Sequence, residues 1–137
     1  MKAAVIGAGL MGSGIAQTCA QAGYEGVNID TFEASIEKAK ENLEKLFAKK
    51  TAKGSMTKEQ ADEILGRISY SSSYEDAAGA EIIIEAVPEK IEIKKQVFKE
   101  LDCCADSDAI IVTNTSGLSV SEIAAATMRP DKVMGVH

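Results

Sequence analysis

The sequence predicts an α/β domain, a doubly wound parallel sheet with helices on both faces. Three observations carry that prediction. Short apolar or β-branched runs alternate along the whole chain with stretches of helical periodicity. The first run, Ala3 to Ile6, breaks directly into closely spaced glycines at Gly7, Gly9 and Gly12. An acidic residue, Asp30, closes the next extended segment about 20 positions on. Without internal repeats or low-complexity tracts, this alternation implies the strand order 3-2-1-4-5-6.

Ala3 to Ile6 are short and apolar, as a strand buried on both faces must be, and Leu10 onward has the spacing of an amphipathic helix. The glycines therefore fall at a Rossmann-type strand-to-helix turn. Gly7 permits the sharp turn, Gly9 lets the backbone approach a pyrophosphate, and Gly12 lets the helix press against the strand. The backbone of Ala8, Leu10 and Met11 belongs to the same anion-facing arc. The first helix, about Leu10 to Ala22, is expected to turn Ile15, Thr18, Cys19 and Ala22 to the sheet and to stop at Gly23. In the second strand, Gly26 to Asp30, the poor strand formers Gly26 and Asn28 predict a weaker or less buried element.

A long helix follows, with Phe32, Ile36, Ala39, Leu43, Leu46 and Phe47 on its apolar side and Glu41 paired with Lys45 on the other. Lys45, Lys49, Lys50 and Lys53 suit the negative end of its dipole, and Gly54 ends it. Thr57 and Gln60 form a capping box for a short helix to about Leu65, Arg67 to Tyr70 is the third strand, and Ser73 to Gly79 holds one helical turn. Ala80 to Val87 is a central parallel strand stopped by Pro88. The next helix carries Ile91, Val97, Phe98 and Leu101 on its apolar side, and Ala109 to Thr113 is the fifth strand. Ser119 and Glu122 form a second capping box for a helix that ends before Pro130, and Lys132 to Val136 is the sixth strand.

A chain of 137 residues is one domain's worth, short for an enzyme that must also bind a second substrate. No apolar run approaches about 18 residues and no basic-then-apolar leader is visible, so the expectation is a soluble, cytoplasmic protein without a membrane span. The net charge of −6 disfavours nucleic acid as a partner. The three cysteines fit a reducing compartment: Cys19 falls on the buried side of the first helix, and adjacent Cys103 and Cys104 lack zinc-knuckle spacing. All three read as structural, with a vicinal disulfide as the alternative. No metal site is visible.

In a sheet of this kind, ligands bind outside the carboxyl ends of the strands. There the sequence places the glycine turn, Asp30, Pro88-Glu89, Asn114-Thr-Ser116 and His137. Asp30 offers a carboxylate to the ribose hydroxyls of NAD and would repel the 2′-phosphate of NADP, with no arginine beside it to reverse that preference. Capping the long helix is its structural alternative. His137, the single histidine, is the candidate base that takes a proton from an alcohol as hydride leaves its carbon, against the ordinary reading of a satisfied structural histidine. Asn114 and Ser116 are placed to orient the nicotinamide or to donate to a substrate oxygen, although Asn-Thr-Ser-Gly is also ordinary loop chemistry.

Four segments in order carry a resemblance: Val5-Ile-Gly-Ala-Gly-Leu-Met-Gly-Ser-Gly-Ile-Ala-Gln17; Ile84-Glu-Ala-Val-Pro-Glu89 with Ile93-Lys-Lys95; Asn114-Thr-Ser116; and Arg129-Pro-Asp-Lys-Val-Met-Gly-Val-His137. Together they resemble the NAD-binding domain of the L-3-hydroxyacyl-CoA dehydrogenase family, nearest its bacterial 3-hydroxybutyryl-CoA type, collinearly over nearly the whole chain. The resemblance implies NAD-dependent interconversion of L-3-hydroxyacyl-CoA and 3-oxoacyl-CoA in fatty-acid or butanoate metabolism. It implies His137 as catalytic base, Ser116 on the substrate oxygen or nearby cofactor, and Asn114 in the same loop. It makes Glu89 and Lys94 NAD contacts and carries Lys53, or Lys50, to the CoA phosphates, where a solvated basic helix end is the alternative.

The chain departs from the family pattern at Gly117, where serine is usual, and at Gly26 and Asn28, which replace apolar strand residues. The family continues after the histidine with a Phe-Phe-Asn-Pro-like segment, a glutamate that orients the imidazole, and a helical domain that supplies substrate contacts and the dimer interface. Residues 1–137 are accordingly expected to be a cofactor domain that binds NAD without turning over acyl-CoA on its own. Two alternatives are a non-catalytic, crystallin-like NAD-binding protein and another 3-hydroxyacid dehydrogenase of similar build.

Overall fold

The structure, a computed structural model, describes residues 1–136; His137, on which the expected catalytic base rests, lies outside the described residues. Its elements are β1 (Lys2–Ile6), α1 (Leu10–Gln21), β2 (Glu25–Ile29), α2 (Glu33–Ala52), α3 (Lys58–Gly66) and β3 (Ile68–Ser71). A 3-10 turn (Tyr74–Ala77), β4 (Ile82–Glu85), α4 (Ile91–Cys104), β5 (Ile110–Thr113), α5 (Val120–Ala124), a second 3-10 turn (Pro130–Lys132) and β6 (Val133–Gly135) complete the chain. All neighbouring strands pair in parallel, in the order β3-β2-β1-β4-β5-β6 that the alternation implies.

Ile6, Ile29, Ile83 and Ile111 form one face of the sheet and meet Phe98 and Leu101 of α4 and Ile123 of α5. The opposite face is closed by Ala20 of α1, Leu43 and Phe47 of α2, and Ala61 of α3 against Ile68. In β1, Ala3, Ala4 and Val5 are fully buried, because a central parallel strand is covered by helices on both sides.

Two expectations about this half of the sheet are corrected. α1 buries Gly12, Ala16 and Ala20 rather than Ile15, Thr18, Cys19 and Ala22; Ile15 and Cys19 are half-buried, Thr18 and Ala22 exposed. The stripe at i, i+4 and i+8 is the one that lets backbone approach backbone, and the turn before the helix dictates its rotation. β2 is not the weak strand its composition suggests, since Gly26, Val27, Asn28 and Ile29 are all buried between β1 and β3. Asn28 is accommodated because its side-chain amide donates to the Val5 and Gly7 carbonyls, at 3.1 and 2.8 Å.

α2 buries Ile36, Ala39, Leu43 and Phe47 as its periodicity requires, but Phe32 precedes the helix and is 72% exposed, and Leu46 also faces outward. The Thr57–Gln60 capping box forms in both directions, at 3.0 and 3.1 Å. The box at Ser119 forms in one direction only: its hydroxyl accepts from Glu122 N–H, while the Glu122 carboxylate pairs with Lys95 at 2.7 Å. The helix it opens is a short one of five residues. Arg129 closes the far end of α4, ion-paired to Asp102 at 2.7 Å and donating to the carbonyls of Asp102 and Ala105. The three cysteines are free thiols, and burial pushes those of Cys19 and Cys104 up. Among the described residues, no helix is long and apolar enough to cross a membrane.

Candidate functional site

The site begins where β1 ends. Gly7 has φ +106°, a conformation L side chains rarely adopt, and a Cβ there would lie 2.7 Å from the Ala86 carbonyl oxygen. A Cβ on Gly12 would overlap the Gly7 carbonyl, so the first turn of α1 rests directly on the end of β1. Gly9 differs from both, because a Cβ there would meet nothing within 4 Å. It stands at the N-cap of α1, no side chain caps the helix, and the N–H groups of its first turn have no intrahelical acceptor. Leu10 is 92% exposed and Met11 also faces solvent, which leaves the open side of this turn an anion-accepting backbone.

That turn borders a cleft of about 510 Å³ whose walls include Met11, Asp30, Phe32, Val87 and Ile93. Asp30 Oδ2 accepts the Ala8 N–H and Oδ1 the Phe32 N–H, both at 2.9 Å. The carboxylate thus ties β2 to the glycine turn and makes a local Asx turn, rather than capping α2, which carries no side-chain cap. Each oxygen keeps a lone pair for another donor, as a ribose hydroxyl requires. The residues present fit a dinucleotide.

A second cluster lies at the ends of β4 and β5. Glu85, fully buried, accepts the Lys94 ammonium at 2.6 Å, the Val87 N–H at 2.8 Å and the Thr113 hydroxyl at 2.7 Å. Lys94, itself buried on α4, also donates to the Val87 carbonyl at 3.2 Å and pairs with Glu89 at 3.3 Å. With three acceptors for three N–H groups, Lys94 stands behind Glu89 rather than free in the cleft. Glu89 Oε2 accepts the Ser116 N–H at 3.2 Å, and the Thr115 hydroxyl, the Ser116 amide and Lys94 hold its carboxyl below the usual range. A cleft of about 280 Å³ joins Met11, Glu89, Lys94, Asn114 and Ser116.

Gly7, Ala8, Gly9, Leu10, Met11, Gly12, Asp30, Glu89, Lys94, Asn114 and Ser116 thus gather at one edge of the sheet. Lys50 and Lys53 do not join them. They sit at the opposite end of α2, about 30 Å of helix from Glu33. Lys53 is exposed, and the Lys50 ammonium lies 5.7 Å from the Phe47 ring centre. A groove of about 540 Å³ between α1 and α2, bounded by Gln17, Lys38 and Asn42, runs from the turn to Leu46, one helical turn short of Lys50. Glu85 is the residue sequence reasoning missed. Its signal is a charge closing a β-branched strand, matched by a lysine standing within the apolar row Ile91, Val97, Phe98 and Leu101. Among the described residues, no group of three His, Cys, Asp or Glu side chains could hold a metal ion.

Residues 2–137 match the family model of the 3-hydroxyacyl-CoA dehydrogenase NAD-binding domain. The chain is 46% identical over 137 residues to a 3-hydroxybutyryl-CoA dehydrogenase of Clostridioides difficile, covering all of this chain and 49% of that protein. It superposes on the crystal structure of (S)-3-hydroxybutyryl-CoA dehydrogenase from Ralstonia eutropha with a TM-score of 0.94 at 34% identity, covering 99% of this chain and 48% of that one. On the 3-hydroxybutyryl-CoA dehydrogenase of Escherichia coli K12 the TM-score is 0.96 at 31% identity, covering 100% and 29%. The chain spans about half the length of the curated relatives it matches.

Two substitutions probe the two clusters. Glu85→Ala leaves the buried Lys94 without its nearest carboxylate and is expected to cost about 3–5 kcal/mol in urea denaturation; an unchanged midpoint would contradict the pairing. Gly9→Val fills open space at a backbone conformation any residue adopts. Its melting temperature should stay near that of the unaltered chain while NADH binding, followed by calorimetry, is lost.

Proposed function

The chain belongs to the 3-hydroxyacyl-CoA dehydrogenase NAD-binding domain family, and on that premise we propose that it is the cofactor half of an oxidoreductase interconverting L-3-hydroxyacyl-CoA and 3-oxoacyl-CoA. The single observation that carries this reading is the juxtaposition of the Gly7–Gly12 turn and Asp30 with the Glu89–Ser116 contact along one edge of the sheet. The names of the relatives favour a short acyl chain such as 3-hydroxybutyryl, and those of fatty acid oxidation complex subunits favour a place in fatty-acid metabolism.

NAD, when bound, supplies the hydride acceptor. In this reading the backbone from Gly7 to Gly12, with Ala8, Leu10 and Met11, holds the pyrophosphate. Asp30 accepts from a ribose hydroxyl and repels a 2′-phosphate. Glu89, kept ionised and aimed by Lys94 and the Ser116 amide, contacts the cofactor on the other side of the cleft. Ser116 orients the substrate oxygen from the loop it shares with Asn114, and His137 moves the proton between that oxygen and solvent. Lys53, or Lys50, meets the CoA phosphates at the end of α2. Residues 1–137 form the cofactor domain, and a helical domain such as the longer relatives have room for provides the remaining substrate contacts and a homodimer interface. The protein works in the cytoplasm.

NADH is expected to bind at least about tenfold more tightly than NADPH, because the extra phosphate would face the Asp30 carboxylate. Calorimetric titration of both cofactors checks it, and equal affinities, or a preference unchanged in Asp30→Ala, would remove Asp30 from that role. The function itself is tested by incubating the 137-residue chain with NADH and acetoacetyl-CoA at neutral pH and following the nicotinamide absorbance, with NADH binding measured in parallel. Binding without steady turnover is the expected result. A chain that binds no NADH would overturn the reading, and steady turnover would show that no further domain is needed for the reaction.

A further inference from the structure

We propose that Asn28 is a positioning residue for the glycine turn: with Asp30 it grips the two ends of the single peptide plane between Gly7 and Ala8, and so sets the direction in which the turn presents its backbone. This rests on the proposal that NAD binds at that turn.

Asn28 in β2 and Asp30 just after it are two residues apart, and both side chains reach the turn that follows β1. Asn28 is fully buried, and its Nδ2 donates to the Gly7 carbonyl at 2.8 Å and to the Val5 carbonyl at 3.1 Å. The other end of the Gly7–Ala8 peptide, the Ala8 N–H, donates to Asp30 Oδ2 at 2.9 Å. Between them, the Ile29 carbonyl accepts the Gly7 N–H at 2.7 Å. Three consecutive residues, Asn28 and Ile29 of β2 and Asp30 just after it, therefore hold one glycine and the peptide that follows it.

The need for such a grip follows from Gly7 itself. At φ +106° it has no Cβ to restrict rotation of its own peptide plane, and that plane must hold still because its carbonyl is the surface on which Gly12, and hence the first turn of α1, rests. The amide orientation of Asn28 is settled by its partners, since the reverse would place Oδ1 against two carbonyl oxygens. Oδ1 is then buried without a hydrogen-bond partner among the described residues. A leucine of the same branching would remove that unpaired acceptor but leave the Gly7 carbonyl without the Asn28 donor, so the amide is distinguished from an apolar residue by the bond it makes to the turn rather than by net stability. Both donors of this amide go to carbonyls at the end of β1 and in the glycine turn that follows it.

The test is Asn28→Leu in the full chain, with Asn28→Ala alongside it in case the larger side chain prevents folding. The melting temperature should stay near that of the unaltered chain for leucine, because one unpaired buried acceptor, Oδ1, is exchanged for another, the Gly7 carbonyl. NADH dissociation constants should rise about tenfold for either variant, the scale of a lost hydrogen bond in the turn. Amide hydrogen exchange at Ala8 should accelerate while that of Ile83 and Ile111 in the core does not, a pattern general destabilisation would not produce. Folded variants that keep the NADH affinity and the Ala8 protection of the unaltered chain would overturn the clamp while leaving the cofactor reading intact. Failure of the unaltered chain to bind NADH would overturn both.

Discussion

The carbonyl of Gly7 is met from two directions: the Asn28 amide donates to it from the adjoining strand and the Cα of Gly12 packs on it from the first turn of α1. This one close approach governs much of the N-terminal half. It sets the rotation of α1 about its axis, so the small residues Gly12, Ala16 and Ala20 are the buried ones and the larger ones turn outward. It leaves Gly9 with open space above it, and it brings the uncapped first turn of α1 to the mouth of the cleft that Asp30 borders. The open, uncapped turn at the mouth of that cleft is therefore a consequence of how tightly a helix can be laid on a strand.

The other half of the edge is organised by charge. Glu85 and Lys94 are both buried, and each is satisfied by several partners, which is the condition under which an ion pair in the interior is tolerated. Through them β4, β5 and α4 are tied at one point, directly beneath the cleft shared by Glu89, Asn114 and Ser116. The half-exposed Glu89 is the outward end of that network and holds the Ser116 loop from the β4 side. Rigid backbone on one side and a charge-locked loop on the other give the sheet edge two walls of different character, suited to holding a long, mixed-polarity ligand in one orientation.

Much of this was legible in the linear pattern. The six strands, their order, the Thr57–Gln60 box and the place of Asp30, Glu89, Asn114 and Ser116 just after strands follow from periodicity, punctuation and the right-handedness of parallel connections, all of which are local or topological. What was not legible were the partners. Periodicity placed Ile15, Thr18, Cys19 and Ala22 inward because it scores side-chain size and polarity, while the helix rotation was decided by where a glycine could touch a carbonyl. Propensity marked Asn28 as a weak strand residue because it cannot count two buried acceptors contributed by another strand.

The sequence by itself determined the fold class, the family and which residues come to one end of the sheet, because the glycine turn, the acid closing β2 and each strand-end motif are signals that are each written within a few consecutive positions. Only the tertiary structure decided which of those residues stand free and which are held. Lys94 is bound by Glu85 across nine positions of sequence, Asp30 by Ala8 across 22, and Arg129 by Asp102 across 27. Hydrogen bonds and ion pairs between groups so far apart depend on the packing of strands and helices in space, and no spacing along the chain carries that information.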